Sequence, residues 1–300
     1  MIEPMSVVNA IYERFPRVRG VAAAIYAYSP RVHLVRKAEI LSSYDAGLRK
    51  KPLVALRYLV SDPELGNFTY PIANQDELAQ FVADTTGTPV AEVTPYLNEV
   101  EENALISRTL ANSPSRILMH KRHSYFGRRL IWYAIARIMK PEVIVETGIH
   151  DGLGSTLLLA ALQMNAEDGV EGRLISVDIA PSSGWLIPNS LKGRWTSVFG
   201  STFDVLDGAV AGHRIGMFIH DSDHTYECEK FEFTTALAHA ADTITLISDN
   251  SHATSALHDI CRANNIPFEY FAEKTHNHFY PGAGNGVGIA RKPSHSTSTA

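Results

Sequence analysis

The chain has little cysteine, no long apolar run and none of the short motifs of covalent catalysis. Its 300 residues include two cysteines, Cys228 and Cys261. Two thiols cannot make a disulfide framework, and these lack metal-site spacing, so a reducing compartment, the cytoplasm, is expected. The most apolar early run, Val21 to Tyr28, is far too short to span a bilayer. The start M-I-E-P-M-S-V-V-N-A has an acid early and no basic stretch before an apolar core, which argues against a signal peptide. No membrane partner is expected. There is no G-x-S-x-G, no P-loop and no C-x-x-C.

What is present suits a soluble globular protein: 45% hydrophobic and 20% charged residues, enough chain for one large domain and a smaller one. The net charge of −5 hides an asymmetry. Residues 1–140 carry 18 Lys+Arg against 13 Asp+Glu, and the remainder 9 against 19. The densest basic run, Arg116 to Lys140, has seven basic residues and no acid, and reads as a solvated or inter-domain face. No aromatic-basic motif or basic helix accompanies it, so a nucleic-acid partner is not favoured.

The organisation changes near residue 116. Upstream, residues 1–115 read as a helical lid or dimerisation domain, with helical spacing over 2–28 and 31–59. Asn74-Gln75-Asp76-Glu77 looks like a capping box opening a helix to about Asp84. Thr88-Pro89 and Thr94-Pro95 each offer an N-cap followed by proline, the second opening a helix to about Ala111. These helices could mimic a helix-turn-helix, but Asp84, Glu92, Glu99, Glu101 and Glu102 would face phosphates unfavourably. A helix from about Tyr125 to Met139 leads into residues 116–292, where strands and helices alternate. The strands read as Val143–Thr147, Leu174–Asp178, Thr196–Phe199, Ile215–His220, Thr243–Ser248, Phe268–Phe271 and Val287–Arg291. Residues 293–300 form a low-complexity tail expected to be disordered.

The densest signal is V-I-V-E-T-G-I-H-D-G-L-G-S-T-L-L-L-A-A-L, residues 143–162. A β-branched run ends in Glu146, meets Gly148, Gly152 and Gly154, and becomes an apolar helix. That order places backbone N–H groups and a helix N-terminus around a nucleotide-like ligand. The spacing is G-x-x-x-G-x-G, not the dinucleotide G-x-G-x-x-G. With an acid two residues before the first glycine, the stretch resembles motif I of class I S-adenosylmethionine (SAM) methyltransferases. The resemblance covers roughly residues 120–291. It implies an α/β fold: a seven-stranded Rossmann-like sheet, here with a helical N-terminal domain. It also implies that Glu146 meets the ammonium of SAM, that Asp178 accepts the ribose hydroxyls, and that Thr202 lies near adenine. The plainer alternative is a turn shaped by glycines beside exposed strand-end acids.

A second signal closes the fourth strand, I-H-D-S-D-H-T-Y-E, and pairs with I-S-D-N-S-H after the fifth. Asp221, Asp249 and Asn250 would converge at one sheet edge as hard oxygen ligands suited to Mg²⁺. This set resembles metal-dependent catechol and caffeoyl-coenzyme A O-methyltransferases. The position of that family's catalytic lysine is His224 here, a neutral base able to act near pH 7. The D-x-D-H-x-Y-E form also resembles macrocin-type sugar O-methyltransferases. Asp221 could instead anchor substrate or orient His224, and Asp249-Asn250 could cap the next helix. Asp223 would turn to the side opposite Asp221. His150 and His252 are weaker candidates, and His276 with His278 reads as part of a polar hairpin loop.

The expected function is methyl transfer from SAM to a hydroxyl of a small molecule, including natural products, assisted by Mg²⁺ with His224 as general base. A metal-independent O- or N-methyltransferase, a non-catalytic SAM-fold partner protein and a nucleic-acid methyltransferase are the alternatives. A homodimer or higher homo-oligomer through the helical front domain fits the same reading. Trp185, in the loop 181–189, could cover an acceptor ring.

Overall fold

The protein is described from a computed structural model covering residues 72–103, 106, 126–274 and 286–292. The helices expected over 2–28 and 31–59, the part of the basic run 116–140 up to residue 125, the 276–278 histidine pair and the tail lie outside the described residues.

Among the described residues three helices precede the sheet: α1 (Gln75–Thr86), α2 (Val90–Glu102) and α3 (Arg129–Met139). The α/β unit then runs β1 (Val143–Thr147), α4 (Leu153–Glu167), β2 (Arg173–Asp178), a 3₁₀ turn, β3 (Trp195–Phe199), α5 (Thr202–Val210) and β4 (Ile215–His220). It continues through α6 (Tyr226–Ala238), β5 (Ala240–Ser248), α7 (Ala256–Asn264), β6 (Phe268–Ala272) and β7 (Gly286–Lys292). The seven strands lie in the order β3-β2-β1-β4-β5-β7-β6. The first five are parallel, and β7 is antiparallel to both neighbours. All seven expected strands are present, with ends differing by up to three residues.

The central strands read as near-continuous apolar runs because both sheet faces are covered there. Ile144, Leu174, Met217, Ile219 and Ile247 pack on the α3–α4 side. Val143, Val145, Ile175, Val177, Phe218 and Leu246 pack on the side of α5, α6 and α7. Alternate side chains of one strand thus build two different cores. Helix α3 is buried without a break from Leu130 to Arg137 because α1, α2 and α4 all pack on it.

The basic run, expected as a solvated or inter-domain face, is enclosed rather than solvated where it is described. Arg128 and Arg137 are each only 5% exposed. Burial is tolerable because each guanidinium is paired. Arg137 Nε donates to Glu99 Oε2 at 2.9 Å, and its Nη1 donates to Asn165 Oδ1 at 2.5 Å and Asp168 Oδ2 at 3.1 Å. Its Cζ also sits 5.1 Å from the Tyr96 ring centre. One side chain therefore ties α3 to α2 and α4.

Two helix starts depart from expectation. Thr94-Pro95 does not open a helix: Pro95 lies inside α2, whose N-cap is Pro89. Near the helix start a proline costs one backbone bond, and the burial of Val93, Leu97 and Val100 outweighs it. Asn74 caps α1 by position, but its side chain makes no cap bond. It donates instead to Glu77 Oε2 at 2.9 Å and to the Ala272 carbonyl at 3.1 Å, and accepts from the Lys274 amide at 2.9 Å. The capping residue thus fastens α1 to the end of β6.

Removing the buried guanidinium by Arg137→Ala strands Glu99 and Asn165. Urea denaturation is expected to show a loss of about 3–5 kcal/mol, the usual result of breaking a buried pair from one side. A loss no larger than that of an exposed arginine would contradict the account.

Candidate functional site

Parallel register brings the site together. Thr147 stands opposite His220, and His220 opposite Ser248. Pairing continues one residue past the strand ends. The Asp221 amide donates to the Thr147 carbonyl at 2.9 Å, and the Asp249 amide to the His220 carbonyl at 3.0 Å. Gly148, Asp221 and Asp249 therefore form a row at the carboxyl ends of β1, β4 and β5, where the strand order reverses and open α/β sheets bind ligands. The row requires glycine at its first position. Gly148 has φ +84°, and a Cβ there would lie 1.9 Å from the Asp221 carbonyl oxygen.

A cavity of about 320 Å³ opens over this row. Gly148 and Gly154 contribute backbone, His150 and Asp151 come from the loop between them, and Arg128, Arg129 and Trp132 come from the start of α3. Asp221, His224, Asp249 and Asn250 also line it. The structure thus gathers two of the three loop glycines with all four acceptor-side candidates. Gly154 leaves room for Trp132, whose ring would be 2.6 Å from a Cβ there. Gly152 (φ +90°) serves the fold: its Cβ would meet Ile187 and Gly184.

Other expected cofactor residues lie behind the cavity lining. Glu146 is 1% exposed. Its Oε1 accepts from the hydroxyls of Ser155 and Ser176, the latter at 2.6 Å. Ser176 Oγ in turn accepts from Trp195 Nε1 at 2.8 Å. Burial pushes the Glu146 carboxyl up to about 7, against the pull of the two serines. The Asp178 carboxylate accepts from the amides of Ile149 at 2.7 Å, His150 at 3.0 Å and Ala180 at 2.7 Å, so it grips the glycine loop. Thr202 begins α5 and sets its hydroxyl 3.6 Å from Cys228 Sγ, outside the cavity lining.

The oxygen triad meets a guanidinium. Arg128 Nη2 donates to Asp249 Oδ2 at 2.6 Å and also contacts Asn250 Oδ1, while Nη1 donates to Glu273 Oε1 at 2.5 Å. Arg129 Nη2 lies 3.6 Å from Asp221 Oδ2. Burial works against the charge of Asp249, yet Arg128 holds that carboxyl below its ordinary value. Burial and the neighbouring Asp249 push Asp221 up.

Asp249 Oδ1, buried without a hydrogen-bond partner among the described residues, would welcome a cation. The rest of the set does not fit Mg²⁺, which needs oxygens at about 2.0–2.1 Å. The Arg128 nitrogen stands against both Asp249 and Asn250, where such an ion would sit. Among the described residues no group of three or more His, Cys, Asp or Glu side chains forms a metal site. The expected Mg²⁺ is therefore at odds with this arrangement.

His224 is well placed. Arg128 engages Asn250 Oδ1, which turns Asn250 Nδ2 toward His224 Nε2 at 2.5 Å and makes that ring nitrogen the acceptor. Burial, with His220 and Arg128 nearby, pushes the imidazole down to about 4, so the ring is neutral at physiological pH. His224 Nδ1 lies 3.5 Å from His220 Nε2, and His220 Nδ1 lies 2.7 Å from Glu232 Oε2. Glu232, fully buried, also accepts from Thr147 at 2.5 Å and Ser222 at 2.7 Å. His252 lies apart from the cavity lining and accepts from the Gly286 amide at 3.4 Å.

Sequence reasoning missed Arg128, Arg129, His220, Glu232 and Glu273. The arginines had a signal in the acid-free basic run, but spacing alone could not show that α3 is enclosed. Glu232, on α6, looks like any helical surface acid. His220 differs: a polar residue ending an otherwise apolar central strand was a legible hint.

Residues 145–251 match the protein family described as "Methyltransferase domain". No curated protein matches the chain. Among solved structures, a provisionally assigned O-methyltransferase from Klebsiella pneumoniae is 13% identical, with 64% of this chain and 91% of that one covered and a TM-score of 0.48. An O-methyltransferase from Bacillus cereus in complex with S-adenosylhomocysteine (SAH) is 14% identical, over 72% and 97% of the chains, with a TM-score of 0.44. The O-methyltransferase TomG from Streptomyces achromogenes, involved in tomaymycin synthesis and solved with SAM, is 14% identical, over 76% and 93%, with a TM-score of 0.43.

The buried Glu146 makes a test of linkage. Its folded-state value of about 7 lies above the 4.5 of a free glutamate. Between those values the fold keeps a proton that the unfolded chain releases. The contribution is full below pH 4.5 and is lost as the pH rises through 7, on the order of 3 kcal/mol in all. Glu146→Gln is expected to flatten this loss in urea denaturation compared between pH 5 and pH 8. An unchanged pH slope would refute the assignment.

Proposed function

Taking the methyltransferase domain of residues 145–251 as premise, we propose that the chain is a SAM-dependent methyltransferase acting on a hydroxyl of a small molecule. The observation that carries the reading is the single cavity whose lining joins the glycine loop to His224, Asp221, Asp249 and Asn250. No helix among the described residues is long and apolar enough to cross a membrane.

The donor side suits the amino-acid end of SAM. Backbone at Gly148 and Gly154 forms the lining without side chains above it, and Arg129 stands among Asp151 and Asp221. A cation beside carboxylates complements an α-carboxylate next to an α-ammonium. Asp178 holds the loop by its amides from the end of β2, behind the cavity lining, and in this reading the ribose of SAM would lie beside that strand end. Glu146 supports the loop from behind through Ser155, so its role is positioning. Gly152 shapes the turn. Thr202 borders the adenine end of this reading only through α5.

SAM, when bound, supplies a methyl group on a sulfonium for direct in-line displacement. The protein's share is alignment, exclusion of water and removal of one proton. His224 Nε2 is the nitrogen that takes the acceptor's hydroxyl proton, exchanging its Asn250 contact for the acceptor. Asp221, 4.0 Å from that nitrogen, stabilises the imidazolium that results. His220 and Glu232 hold the ring from its other side. No step is routed through a divalent metal.

His224→Ala is expected to cut SAH release, assayed over a panel of phenols, sugars and other hydroxyl compounds, by about 10²–10⁴-fold. SAM affinity by calorimetry should change by less than about threefold, since the imidazole acts on the acceptor. Equal loss of SAM binding would sink the base assignment. Asp178→Ala should do the reverse and weaken SAM by about ten- to a hundredfold, as removal of a charged hydrogen-bond partner does. Unchanged affinity would remove Asp178 from the cofactor site.

A further inference from the structure

We infer that the guanidinium of Arg128 is the resident cation of the acceptor side, standing where a divalent metal would otherwise stand and excluding it. The inference rests on the function proposed above only in naming Asp221, Asp249 and Asn250 as the acceptor side.

The geometry carries it from three directions. Two oxygen-bearing side chains after β5, Asp249 and Asn250, converge on the same nitrogen, Nη2 of Arg128. Glu273, after β6, holds the other terminal nitrogen, so the guanidinium is clamped between two strand ends. The three side chains are nearly enclosed: Arg128 is 5% exposed, Asp249 1% and Glu273 5%. An enclosed fork held by carboxylates on both sides cannot move aside for a metal without giving up its buried bond to Glu273 as well as that to Asp249.

Chain geometry explains how the arginine reaches this place. Arg128 sits in the turn before α3, one residue after Gly127, whose φ of +56° permits the sharp entry. The neighbouring Arg129 turns toward Asp221, 3.6 Å away, so the third oxygen residue also faces a guanidinium. Asp221, Asp249 and Glu273 carry three formal negative charges, and the two arginines return two positive ones. Among the described residues a divalent ion added to this set would overcompensate it, whereas in the absence of Arg128 only Arg129 would stand against the same oxygens.

The role differs chemically from that of a metal. A guanidinium remains charged at every physiological pH, offers a planar fork and coordinates nothing. It orients Asn250 and through it His224, and presents a fixed positive charge to an acceptor oxygen in the cavity. The site would then keep its charge after chelation, which a metal-loaded relative would not.

The test needs neither cofactor nor acceptor, so it reads separately from methyl transfer. The full chain is titrated with Mn²⁺ and the free-ion signal followed by electron paramagnetic resonance. Wild type is expected to bind no stoichiometric Mn²⁺ at about 1 mM, the range of weak oxygen sites. Arg128→Met, similar in length and uncharged, should gain one bound ion at least about tenfold more tightly, and adding Asp249→Asn should abolish the gain. Should the Met variant fail to fold by circular dichroism, Arg128→Gln replaces it in the same comparison. One Mn²⁺ bound by wild type and lost in Asp249→Asn would overturn the inference. So would a folded Arg128 variant that binds none, because the guanidinium would then not be filling a cation's place.

Discussion

Everything at the site depends on the contact between the backbones that leave β1 and β4. Gly148 and Asp221 come so close that no Cβ fits between them. Their amides extend the pairing of the parallel strands by a residue and align the next residue after β5, Asp249. Hydrogen bonding along the strands is what gives a loop this precision. A row set by sheet register is more rigid than one built on free loops, since shifting it by one residue would move every side chain to the opposite face.

Around that row the protein buries more charge than its size requires, and nearly all of it is matched. Glu146 meets two serines, Glu232 meets a histidine, a threonine and a serine, and Arg128 bridges the ends of β5 and β6. An apolar core would cost less free energy than these networks. What they provide is direction. The Asn250 amide has one sensible orientation because Arg128 holds its oxygen, and that orientation makes Nε2 the acceptor nitrogen of His224.

The sheet was legible because its signals are local. Runs such as V-I-V-E-T and I-G-M-F-I-H are apolar on both faces, and the glycine loop after the first of them marks a strand turning into a helix. Asp221, His224, Asp249 and Asn250 were singled out for the same reason: each follows a strand end closely. Arg128 was not, because it lies 121 residues from Asp249 and meets it only in the folded chain. Glu273 joins them from a different strand end and was hidden in the same way. Glu232 escaped for a related reason, since nothing in a helical acid's own neighbourhood tells whether its face turns inward. The proline at position 95 misled because an N-cap pattern is read from adjacent residues, while α2 takes its start from the packing of Val93 and Leu97 below it. The proposed function stands between these cases. Its cofactor side is read from one continuous stretch, whereas the Arg128 contacts on the other side exist only in the folded chain.

Helix α3 carries Arg128 and Arg129 at its beginning and Arg137 in its last turn. The same rod that presents cations to the cavity is pinned at its far end to Glu99 on α2 and Asp168 after α4. It works as a lever with its fulcrum in the core. A substitution on α2 that tilts α3 by a small angle displaces both guanidinium groups together, with no residue of the cavity changed. The charge lining the cavity is thereby open to drift from outside it, through the helices that come before the sheet.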